Sequence, residues 1–155
     1  MPGPLQKRIV PLAFGVVLLL AATSGLVDAA SYLRFHVFAA NQTGNLVIVA
    51  VSFTDPSVAE ARVPSLIGLV AFTIGVFVAV GIRSLLAQRG AGARVCRETL
   101  LGIEVALLAS TAVLFITQKN LSLMSIAILS ISQAFQGVVL TRVAGIGVST
   151  VVINT

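Results

Sequence analysis

From Pro64 to Ile82 the chain runs without one charged residue. As a helix rising 1.5 Å per residue, that run is ~28 Å long, close to the ~30 Å hydrocarbon thickness of a bilayer. Comparable apolar runs recur from Ile9 to Val27, Thr99 to Ile116 and Leu121 to Leu140. A soluble chain of 155 residues cannot cover that much apolar surface when only 10% of it is charged, against about 25% in a soluble domain. A mean hydropathy of +1.07 agrees. The fold class that follows is all-α: a polytopic, multi-pass helical membrane protein whose first partner is the lipid bilayer.

The net charge of +5 does not make it a nucleic-acid binder. Its basic residues are dispersed or sit between apolar runs, as charges flanking membrane spans do. Cys96 is the sole cysteine. It excludes an internal disulfide and lacks the Cys/His company that zinc spacing needs. No Ser/His, Cys/His or paired-acid arrangement is legible, so no catalytic residue, metal or cofactor is expected, and no enzyme. Lys7-Arg8, an apolar run and Val27-Asp28-Ala29 imitate a signal peptide. The run from Ile9 to Val27 exceeds an h-region of 7–15 residues, however, and is long enough to span.

The first span is expected over Pro11–Tyr32, with Pro11 in the first turn, where its missing N–H costs nothing. "FAANQTGNLVIVA" then sets five polar or flexible residues between apolar runs, and reads as a helix break. A short helix is expected over Thr43–Phe53, ended by the turn signal Asp55-Pro56. In the Pro64–Ile82 span, Gly75 and Ala79 form a small-xxx-small pair that lets a neighbour approach. "RSLLAQRGAGARVCR" reads as a basic loop, Thr99–Ile116 as a span carrying Glu104, "TQKN" as a turn, and Leu121–Leu140 as a further span. "VAGIGVSTVVINT" opens another apolar segment and stops at Thr155, so a truncated chain is expected. If every segment crosses, the Lys/Arg rule puts the N-terminus outside. If the short helix is re-entrant and the N-terminus inside, seven basic residues lie inside and three outside. Both arrangements leave the four-arginine segment Arg83–Arg97 in the cytoplasm.

The polar residues within this apolar chain form the candidate site. Ser24, Asp28 and Ser31 share one helix face by spacing. Asp28 is either functional or a boundary acid paired with Arg34 or Arg142. Glu104 lies deep in its span, where a charge costs ~2.5–3.5 kcal/mol unless protonated, paired or facing a cavity. Gln133 and Gln136, three apart, either line a path or bond to a neighbouring helix. In the break, Asn41 or Thr43 can cap the next helix. Gly44 and Asn41 tolerate non-helical angles, and Asn45 offers an amide to a polar solute. Irregular backbone at membrane depth survives only where protein or a water-filled cavity satisfies it. A capped turn at the membrane interface is the other reading.

"SGLVDAASYLRFHVFAANQTGN" and "FQGVVLTRVAGIGVSTVVINT" share a plan: polar helix end, Arg, Gly or apolar stretch, Thr. The expected organisation is an internal three-helix repeat, with residues 1–86 the first copy, 87–97 a basic loop, 98–120 a linker helix and 121–155 the truncated start of the second. With "GLVDAASYL", "FAANQTGNLV", Glu104, "SQAFQGVVLTRVAG" and "GVSTVVINT", the chain resembles the bacterial YoaK family of uncharacterised integral membrane proteins. The resemblance implies the inner membrane of a bacterium. Gly137 departs from it, standing where the family often has Asn. Two functions follow from the residues: a small-solute transporter with a polar broken-helix site, or a non-transporting membrane subunit or scaffold. Homo-oligomerisation stays open.

Overall fold

The computed structural model describes residues 4–117 and 122–140. Five helices follow one another: α1 (Pro4–Phe35), α2 (Gln42–Val51), α3 (Arg62–Gln88), α4 (Ala93–Thr117) and α5 (Ser122–Leu140). A 3₁₀ turn, Pro56–Ala61, leads into α3, and no strand occurs among the described residues. The all-α expectation holds. Residues 118–121 and everything after 140, with the TQKN turn, Arg142 and the later part of the expected second repeat, lie outside the described residues.

Three helices are long and apolar enough to cross a membrane: Phe14–Phe35 within α1, Pro56–Gln88, and Ala93–Ile116 within α4. The surface is apolar and the interior is not. Leu19, Leu26, Leu33, Phe77, Val105 and Ile116 are exposed, whereas Asn45, Ser65, Ser130, Ser132, Gln133 and Gln136 are fully buried. Water would reverse that distribution, and hydrocarbon stabilises it.

α1, α3 and α4 outrun their expected ends, whereas α2 stops at Val51, two residues short of Phe53. α1 starts at Pro4, so Pro11 sits in its body rather than its first turn. A proline inside a membrane helix is tolerated where neighbouring groups satisfy the carbonyl it frees. The basic segment Arg83–Arg97 is mostly helix, and only residues 89–92 leave it. Long arginine stems let a helix end carry charge to the interface. The C-terminus of α3 closes through Gly90, at φ +79. Its N–H donates to Ala87 O (3.0 Å), and that of Ala91 to Leu86 O (3.0 Å), a Schellman ending. The Asp55-Pro56 turn forms as expected, with Asp55 Oδ1 accepting from Ser57 N at 2.8 Å.

α5 is the centre of the bundle, and α3 is its main partner. Small residues make their approach possible: Ser65, Gly68, Ala71, Gly75 and Ala79 are the buried residues of α3. A Cβ on Gly75 would lie 2.8 Å from Ala134 Cβ and 3.0 Å from Ile131 Cα. Nothing larger than hydrogen fits there. Ala79, Leu100, Phe135 and Val138 close the half of the core nearest the α3–α4 connection as an apolar cluster.

Contacts along the helices give their directions. Gly68 meets Ser130, Gly75 meets Ala134, and Ala79 packs with Phe135 and Val138, so α3 and α5 are parallel. Ser24 bonds to Gln133 and Leu20 to Gln136, so α1 runs antiparallel to α5. α1 and α3 are therefore antiparallel, and the chain between them returns to the face it left. With 10 residues, α2 spans only ~15 Å, half the hydrocarbon thickness.

Candidate functional site

The break begins where α1 ends. His36 adopts φ +57 and donates its N–H to Tyr32 O at 2.8 Å. Residues 36–41 then run non-helically into the protein, with Val37, Ala39 and Ala40 buried. Asn41, Gln42 and Asn45 each have a structural task in the break. Asn41 is the N-cap of α2, its Oδ1 accepting from Gly44 N at 3.0 Å. Asn45 Oδ1 accepts from Phe38 N at 2.9 Å, and its Nδ2 donates to Phe38 O at 2.7 Å and to Gln42 Oε1 at 3.1 Å. Asn45 therefore serves Phe38 as a strand neighbour would. Its amide is fully used. Asp28, placed ~6 Å from the middle of its span by helix rise, reaches the same loop, where its Oδ1 accepts from Ala40 N at 2.7 Å.

This is how irregular backbone survives at depth: protein groups satisfy it. Asp28 forms no ion pair with Arg34 among the described residues. Six residues apart on a helix, the two point to different faces, and Arg34 is exposed. Gly44 lies inside α2 with helical geometry rather than at positive φ. Glycine is required there by the Phe38 ring, whose Cδ2 would be 2.7 Å from an added Cβ. Thr43 is exposed. It rims a shallow depression of about 360 Å³ with Asn41, Gly44, Tyr32, Phe38, Val47 and Ile48.

A second polar set lies deeper. Ser24 and Glu104 are the middle residues of their apolar spans in α1 and α4. Ser24 Oγ donates to Gln133 Oε1 at 2.9 Å. Gln136 Nε2 donates to Leu20 O at 2.8 Å. Both glutamines thus tie α1 to α5, as interhelical bonding requires. α4 and α5 run antiparallel, with Leu100 beside Phe135 and Val138, and that register sets Glu104 level with Ser132 and Gln133. Glu104 is 3% exposed. Among the described residues, four buried polar atoms have no hydrogen-bond partner: Glu104 Oε2, Gln133 Nε2, Ser130 Oγ and Ser65 Oγ. Ser130 faces α3 at Gly68, where an added Cβ would sit 3.4 Å from its Oγ.

An unpartnered donor and an unpartnered carboxyl oxygen at the middle of a bundle are costly in low dielectric. Together they match a small molecule that offers an acceptor to Gln133 and a donor to Glu104. Of the residues singled out in the sequence, Gln133 and Glu104 share this midplane level, while Asp28, Asn41, Gly44 and Asn45 build the break. Ser24, on the polar face read from the sequence, joins Gln133 at this level, whereas Ser65 lies ten residues before the Gly75–Ala134 contact, ~15 Å away along α3. Ser65 and Ser130 had no local signal, because serine is an ordinary helix-packing residue in membranes.

Residues 16–155 match the family described as protein of unknown function (DUF1275), and the chain belongs to that family. No curated protein and no solved structure matches the chain.

Proposed function

We propose, from the premise of DUF1275 membership, that the chain is a multi-pass protein of a bacterial inner membrane that moves a small polar solute past a midplane site. The observation that carries this reading is a pair of groups without a partner among the described residues, Gln133 Nε2 and Glu104 Oε2, level with one another at the centre of the bundle. Binding at the midplane beside broken helices is the arrangement of repeat-built transporters. The antiparallel course of α1 and α5, whose ends carry the two halves of the sequence repeat, is what an inverted repeat produces. The likeness to YoaK proteins belongs to this reading, and so does the absence of enzymatic chemistry.

The interhelical bonds Ser24–Gln133 and Gln136–Leu20 favour the second reading, a non-transporting subunit whose polar residues hold helices together. Uptake into proteoliposomes separates the two. The purified protein should accumulate at least one member of a panel of labelled amino acids, polyols and small amides. Glu104→Gln should cut that uptake at least tenfold, with the elution profile and melting temperature kept. A well-folded protein that transports nothing from the panel would leave the subunit reading standing.

A further inference from the structure

At the end of the bundle where α1 stops, a cavity of about 400 Å³ opens between the C-terminus of α1, the 3₁₀ turn and the start of α3. Its volume falls within the ~300–1,000 Å³ of small-molecule sites. It is distinct from the midplane set, sharing none of its residues. Tyr32, Arg34, His36, Ser57 and Glu60 supply the polar wall, over an apolar floor that includes Ile126. Arg34 and Glu60 thus line one cavity with opposite charges. Among the described residues neither is in an ion pair.

We infer that this cavity is a recognition site for a zwitterionic solute of amino-acid size. Arg34 presents a planar fork of donors suited to a carboxylate. Glu60 and the Tyr32 ring offer an acceptor and an aromatic edge to an ammonium group. One face of Tyr32 is held by stacking on Phe38 at 4.8 Å, and His36 packs on it edge-on at 5.8 Å. The wall is therefore set by the same loop that Asn45 and Asp28 pin. His36 is the informative residue. A helix ending in the left-handed conformation takes glycine by preference, yet this one holds an imidazole at φ +57 against the cavity. A side chain kept where glycine would relax the backbone points to a task beyond capping.

The test is direct binding to the full chain in detergent, by calorimetry, using pooled free amino acids and the same pools N-acetylated or methyl-esterified. At least one free pool should bind, and blocking either end should weaken binding ~10-fold or more, the loss of one charge-assisted hydrogen bond. Arg34→Gln should erase the preference for acid over ester. Glu60→Gln should erase the preference for amine over N-acetyl. His36→Gly should weaken binding while holding or raising the melting temperature, which a merely structural histidine would not do. If no pool binds, or if affinity is unchanged in both charge variants, the site is overturned. Binding without uptake would keep this site and sink the permease, whereas uptake with affinity indifferent to Arg34 and Glu60 would do the reverse.

Discussion

At the scale of single residues, the break is held by side chains that imitate backbone. Asn45 satisfies both the N–H and the C=O of Phe38, seven residues earlier, from a fully buried position. Read from the sequence alone, Asn45→Leu would keep the fold and remove a ligand contact. The geometry reverses that expectation. Leucine would leave two part-buried backbone groups unpartnered, at up to ~1–3 kcal/mol each, so Asn45→Leu should lower the melting temperature in detergent. Asn45→Asp retains the acceptor for Phe38 N and loses only the donor, and should fall between leucine and the wild type. Equal stability of all three would show that the loop is held by something else. The Asn41 cap was legible because capping is local chemistry read three residues ahead. The pairing of Asn45 with Phe38 was not, since it depends on a non-helical path that no periodicity marks. Gly44 was legible as special for the wrong reason: a ring 2.7 Å away excludes a Cβ, while φ stays helical.

Between elements, close approach decides stability. α3 lays Gly68, Ala71, Gly75 and Ala79 against α5, and the small pair Gly75/Ala79 was readable because membrane helices pack through such spacing. Which helix receives the stripe was not readable, as several apolar runs would serve. Gly75→Ala drives a methyl to within 3.0 Å of Ile131 Cα, a backbone atom that yields only if the helices separate. Overpacking of this kind costs ~1–3 kcal/mol. Gly81 lies on the same helix with nothing within 4 Å of an added Cβ, so Gly81→Ala should be neutral or slightly stabilising through helix propensity. Thermal unfolding of the two variants side by side checks this. A loss at Gly81 matching that at Gly75 would mean that glycine matters to α3 through its backbone, not through its contact with α5.

For the whole molecule, helix direction adds a constraint that counting charges lacks. Lysine and arginine totals differ too little between the two topologies to choose, because the charges sit at helix ends that either arrangement accommodates. Packing supplies the missing constraint. α1 is antiparallel to α5 and α5 parallel to α3, so residues 36–61 leave and rejoin the bundle on one side, and α2 does not cross. Combined with the positive-inside rule, that predicts the arrangement with the N-terminus inside, the 36–61 face outside and the α3–α4 connection in the cytoplasm. The native thiol is a poor reporter, since Cys96 is buried. In a Cys96→Ser background, His36→Cys and Thr54→Cys should both react with a membrane-impermeant maleimide on intact cells, while Gln88→Cys should react only after permeabilisation; all three positions are exposed. Labelling of positions 36 and 54 from opposite sides would mean that α2 crosses after all and that the antiparallel pairing of α1 with α5 is not the native one. Reaction of Gln88→Cys alone in intact cells would keep the fold and invert it in the membrane.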